Sequence, residues 1–144
     1  MNWQQLAASS HYQTAVKIAR ELEAGNVAEA SAGLEELIDA VGRSERRALR
    51  SQLTRLMMHI LKWQHQPARR SASWAISILL AREEIAGIQE EVPSLNQQAI
   101  SDLWEKCLES AHRQAAAEIG ETIPATELTW QQVFEDEYRV EAGS

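Results

Sequence analysis

The sequence predicts an all-α fold, a helical bundle of about five main helices with a short C-terminal helix. Three observations predict it. Apolar residues recur at spacings of three and four along most of the 144 residues. Gly and Pro are few, six and three, and fall between the periodic stretches. No convincing alternation of apolar and polar residues marks a strand, and there is no internal repeat or low-complexity segment.

Each element follows in order. Tyr12, Ala15, Val16, Ala19 and Leu22 share one face of a first helix that stops at Gly25, with a short extra turn around Trp3 and Leu6. Asn26 with Glu29 reads as a capping box for a second helix. Its stripe is Val27, Ala30, Leu34, Leu37, Ile38 and Val41, and Gly42 is its expected end. Ser44 then opens a third helix, with Leu49, Leu53, Leu56, Met57, Ile60 and Leu61 inward, which ends near Gln66 because Pro67 disfavours helix at the residue before it.

Ser71 or Ser73 caps a fourth helix bearing Trp74, Ile78, Ala81, Ile85, Ile88 and Val92, a narrow seam suited to antiparallel packing. After Pro93, Ser94 with Gln97 reads as the capping box of a fifth helix. That helix buries Ile100, Leu103, Trp104, Cys107, Leu108, Ala111, Ala115 and Ile119. Thr129 with Gln132 opens the last short helix, with Leu128 and Val133 in the positions of a hydrophobic staple. One helical domain is expected over 1–144, with 1–8 and 139–144 open to fraying.

Composition narrows the function classes. Hydrophobic residues make up 44% and charged residues 24%, ordinary globular values. No run approaches the ~18 apolar residues of a membrane span. The N-terminus lacks the basic flank and apolar core of a secretory signal, so the expected compartment is cytoplasmic. A single cysteine, Cys107, allows no internal disulfide and reads as a small buried hydrophobe.

The net charge of −7 conceals an asymmetry. Residues 1–42 carry two basic and six acidic side chains, residues 43–70 eight and one, and residues 71–144 four and fourteen. Arg46, Arg47 and Arg50 fall in the first turns of the expected third helix, where the macrodipole disfavours cations. Glu35, Glu36 and Asp39 on the preceding helix are the nearest candidate partners, in an interhelical salt-bridge lattice that is favoured over the other reading, a ligand site.

On the helical wheel His59, Arg55, Lys62, Trp63 and Gln66 share a flank of the third helix. That flank could hold a phosphate or carboxylate, although packing of Trp63 and Trp74 across the intervening loop is the commoner use of such indoles. His11, His59, His65 and His112 have no spacing of three or four, and no metal or cofactor is expected from them. No nucleophile elbow or phosphate loop is present. Glu83 with Glu84, and Glu90 with Glu91, read as solvated surface.

One further signal lies in the segment from Gly42 to Trp74. Ser44-Glu45-Arg46-Arg47, Leu49, Ser51, Leu53, His59, Leu61-Lys62-Trp63-Gln64, Gln66-Pro67, Arg70-Ser71 and Ser73-Trp74 together resemble the signature of the Domain of Unknown Function 29 family. Echoes extend to Glu35-Glu36, Pro93-Ser94-Leu95, Ala111 with Ala115, and Trp130. His65 stands where members often carry an aromatic, and Leu128-Thr129 where Cys-Pro is frequent. The resemblance implies a small all-helical protein of the bacterial cytoplasm, and it implies no activity.

The function expected from these readings is a non-enzymatic protein-interaction or assembly module, acting on a protein partner or as a homo-oligomer, with no membrane role. The alternative is a nucleic-acid-associated protein using segment 43–70. A third reading is an enzyme with an anion-handling site around His59. The candidate functional patch is Glu45, Arg46, His59, Lys62, Trp63, Arg70, Ser73 and Trp74, with no catalytic residue assigned.

Overall fold

A computed structural model describes residues 1–141. The chain is all-α: α1 (Trp3–Ser9), α2 (His11–Glu23), α3 (Val27–His65), α4 (Ala72–Glu91) and α5 (Gln97–Ile119). A single 3₁₀ turn, Pro67–Arg69, and a π turn, Gln131–Glu135, complete it. Residues 142–144, part of the tail expected to fray, lie outside the described residues. Most of α1 falls within the first eight residues, and Asn2 caps it by accepting from Gln5 N–H.

The largest correction concerns α3. The expected second and third helices are one continuous helix of 39 residues, running through Gly42 and Ser44. A glycine stops a helix when its backbone turns left-handed, as at Gly25 (φ +82°) and Gly120 (φ +80°). Gly42 does not, and strong helix formers follow it, so it costs only about 1 kcal/mol relative to Ala. Arg46, Arg47 and Arg50 therefore sit mid-helix, where no helix terminus opposes them. The interhelical lattice is likewise absent among the described residues, because the expected partners lie on the same helix.

Local capping differs in two places. Asn26 Nδ2 donates to Glu21, and Glu29 accepts from the Trp3 indole at 2.8 Å, so these side chains do not close a capping box. α5 is capped by Asn96, which accepts from Ala99 N–H, in place of Ser94. Ser71 caps α4 as expected, and Thr129 and Gln132 exchange both bonds of their box.

The chain divides within α3 into two compact units, Met1–Arg47 and the residues from Ala48 onward. In the first, α1, α2 and the start of α3 pack around Trp3, Ile18 and Ala30. The backbones close at Gly33, where an added Cβ would stand 2.7 Å from Trp3 Cζ3 and 2.9 Å from Ile18 Cγ1. Gly33→Ala should therefore lower stability although Ala favours helix by about 1 kcal/mol, because overpacking costs about 1–3 kcal/mol. Thermal unfolding with hydrogen exchange across α1 checks this; a more stable variant would contradict it.

The expected apolar faces of this unit are largely outside. Val27 is 65% exposed and Ile38 61%, and Tyr12, Leu22 and Leu34 are exposed too. The geometry explains why they form one surface. Ile18 and Gly33 face each other across α2 and α3, which the three-residue turn Ala24–Asn26 makes antiparallel. At 100° per residue, Tyr12, Ala15, Ala19 and Leu22 lie ahead of Ile18, and Val27, Leu34 and Ile38 lie ahead of Gly33. In antiparallel helices the same rotational sense turns both sets to the same side of the pair. α1 covers the opposite side, where Glu29 receives the Trp3 indole.

The second unit holds the main core. Leu49, Leu53, Leu56, Met57, Ile60 and Leu61 are fully buried, as expected, against Ile78, Ala81 and Ile85 of α4 and Ile100, Cys107 and Ala111 of α5. Cys107 is buried, donates to Arg50 O at 3.6 Å, and burial pushes its thiol pKa up. It is a packing residue tying α5 to α3. Past Gly120 the chain returns over the core through Ile123, Leu128 and Val133. Trp130 lies on Trp104 (5.8 Å between ring centroids) and on Phe134 (4.5 Å).

Candidate functional site

The eight residues of the sequence-predicted patch do not gather into one site. Glu45 is half-buried and Arg46 exposed, both before the division in α3. Ser73 is exposed in the first turn of α4, where Ser71 does the capping. Two pairs do form. The Lys62 ammonium lies 4.7 Å from the Trp74 ring centroid and is ion-paired with Glu118 of α5. The Arg70 guanidinium lies 5.2 Å from the Trp63 centroid, while its Nε donates to Trp63 O at 2.9 Å.

Trp63 itself is 6% exposed and meets Tyr138 edge-on, 5.7 Å between centroids. Its faces are thus committed to the fold. The other histidines near this region are also occupied: His65 Nε2 pairs with Thr126 Oγ1 at 3.0 Å, and His112 Nε2 donates to the Ile123 and Pro124 carbonyls, both at 3.1 Å. Among the described residues no group of three or more His, Cys, Asp or Glu is placed to hold a metal ion.

His59 stands apart from the rest of the patch. It is 9% exposed, and its buried Nδ1 has no hydrogen-bond partner. An unsatisfied buried polar atom costs about 1–3 kcal/mol. Burial, with the Lys62 and Arg55 charges, holds its pKa below the usual histidine value, so the ring is neutral near pH 7.

His59 lines a cleft of about 780 Å³ between α3 and α5, and no other residue of the predicted patch does. Arg50, Arg55, Lys106 and Arg113 converge on it, alongside Thr54 and Ser110. Helical spacing places them: Arg50, Thr54 and Met58 repeat every four residues along α3, as Lys106, Ser110 and Gln114 do along α5. The Cys107 bond to Arg50 O fixes the two helices against each other at this level.

Arg55 is legible in the sequence beside His59, whereas Lys106 and Arg113 are not legible as its neighbours. Their signal was available, because Lys106, Ser110 and Arg113 flank the apolar stripe of Cys107 and Ala111. Pairing that strip with the one on α3 requires knowing which helix faces which.

The comparisons with known proteins add a family. A family model described as Domain of unknown function DUF29 matches residues 6–139. No curated protein and no solved structure matches the chain.

Proposed function

The chain belongs to the DUF29 family, and from that premise we propose that it is a protein-interaction module that assembles with a second copy of itself through the open face of α2 and α3. The observation that carries this reading is the continuous apolar surface of Tyr12, Leu22, Val27, Leu34 and Ile38, all exposed. Those five side chains offer roughly 500 Å² per copy, and the alanines between them extend this toward the ~800 Å² per partner of a stable interface. A patch of about 300–600 Å² is the usual largest one on a monomer and is often a functional surface.

Charge selects a second copy as the occupant. At 100° per residue Arg20 falls about 80° past Tyr12, and Glu35 about 60° past Ile38, so each stands on the outer flank of its own helix beyond the open face. A twofold axis along the helices sets α2 of one copy beside α3 of the other. Arg20 and Glu35 of the second copy then stand along the same outer edge, within reach of their long side chains, and the four helices complete a bundle. Among the described residues no helix is long and apolar enough to cross a membrane, and the family resemblance supports a bacterial cytoplasmic setting for this assembly.

Analytical ultracentrifugation across micromolar concentrations tests the reading. The native chain is expected to sediment as a dimer. Leu34→Glu with Ile38→Glu is expected to give a monomer of unchanged helicity, since both positions are exposed. Arg20→Glu and Glu35→Arg should each weaken the dimer, and the two together should restore it. A native chain that stays monomeric at high micromolar concentration would remove this proposal.

A further inference from the structure

We propose that the cleft between α3 and α5 is a binding site for a compact, multiply charged phosphorylated anion. The chain is acidic overall, with 21 Asp and Glu against 14 Lys and Arg. Carboxylates are therefore abundant enough to neutralise most cations locally. Yet four cations converge on one cleft, and among the described residues none of the four forms an ion pair. Two carboxylates line it as well, Glu109 and Glu118, but Glu118 is already engaged by Lys62. The cleft keeps a positive excess.

The chemistry of the lining narrows the ligand. Three of the four cations are arginines, whose planar forks match phosphate and carboxylate oxygens in pairs. Ser51, Thr54 and Ser110 add hydroxyl donors. No Trp, Tyr or Phe lines the cleft, so nothing there offers a stacking platform to a nucleobase. An oligophosphate or a phosphorylated polyol fits this set better than a nucleotide does, and the cleft volume of about 780 Å³ is within the usual range for small ligands.

His59 gives the site a local reporter. Its neutral ring lines the cleft beside Arg55, and Glu109, Glu118, Lys62, Arg50, Lys106 and Arg113 are the other charged groups around it. An anion bound there offsets the repulsion of Arg55 and Lys62. The imidazole then holds a proton more readily than in the free protein.

The site is independent of the dimer interface proposed above, since every lining residue lies in the unit from Ala48 onward. The test is titration calorimetry of the whole chain with inorganic tripolyphosphate at low ionic strength. Saturable binding at one site per chain is expected, weakened about tenfold or more by Arg55→Ala or Arg113→Ala. Arg43→Ala, an exposed arginine of the other unit, should leave it unchanged. The His59 imidazole resonances should move on saturation in the native chain, and ATP should bind no more tightly than tripolyphosphate. Absence of saturable heat would overturn the proposal. So would equal losses from Arg43→Ala and Arg55→Ala, which would mark a diffuse attraction to the whole surface.

Discussion

Replacing Trp63 with alanine is expected to cost the unit from Ala48 onward about 3–5 kcal/mol of folding stability, the usual loss for a buried Trp. The indole is 6% exposed. Its removal opens a cavity beside Tyr138 and leaves the Arg70 guanidinium without the ring it lies over. Trp63→Phe keeps an aromatic surface in the same place and should cost considerably less. Urea unfolding followed by circular dichroism measures both. A loss below about 1 kcal/mol for Trp63→Ala would show that the indole is not part of the core. The result matters for any functional screen, because Trp63 lies in the most distinctive stretch of the sequence. A variant there that loses function through unfolding would be mistaken for a variant that loses a binding contact.

That ambiguity was already present in the sequence. Leu49 through Leu61 form a stripe so regular that their burial follows from spacing alone, and they are buried in the structure. The stripe of Val27, Leu34 and Ile38 is equally regular, yet those residues are exposed in the single chain. Periodicity reports that a face is apolar; it does not report what covers it. α1 reached the other side of α3 because Trp3 found both Gly33 and Glu29, a match across 26 or more residues that local spacing does not encode.

The same limit governed the candidate site. Arg55 and His59 were legible as neighbours on one helix. Lys106 and Arg113 join them only through the packing of α5 on α3. Gly42 failed as a stop signal for a related reason: whether a glycine ends a helix depends on its own backbone turning left-handed, and composition does not fix that.

Arg82→Ala is expected to release the C-terminal segment and to cost about 2–4 kcal/mol, from the loss of two charge-assisted hydrogen bonds in a half-buried setting. Arg82 Nε donates to Val133 O at 2.8 Å and Nη2 to Gln132 O at 3.2 Å. These carbonyls belong to the π turn Gln131–Glu135, a single turn too short to satisfy them along its own axis. Tyr138 strengthens the arrangement, its hydroxyl donating to Gln132 O at 2.7 Å while Arg82 lies over its ring at 5.5 Å. The Thr129–Gln132 box closes the start of the turn, so the arginine supplies what local sequence leaves open at its other side. Arg82→Lys can serve one carbonyl at a time and should recover only part of the loss. Hydrogen exchange read residue by residue separates this from general destabilisation: amides from Leu128 to Tyr138 should exchange faster while those of Leu53 to Leu61 change little. Unchanged exchange across that segment in Arg82→Ala would mean that the aromatic cluster of Trp104, Trp130 and Phe134 holds it unaided.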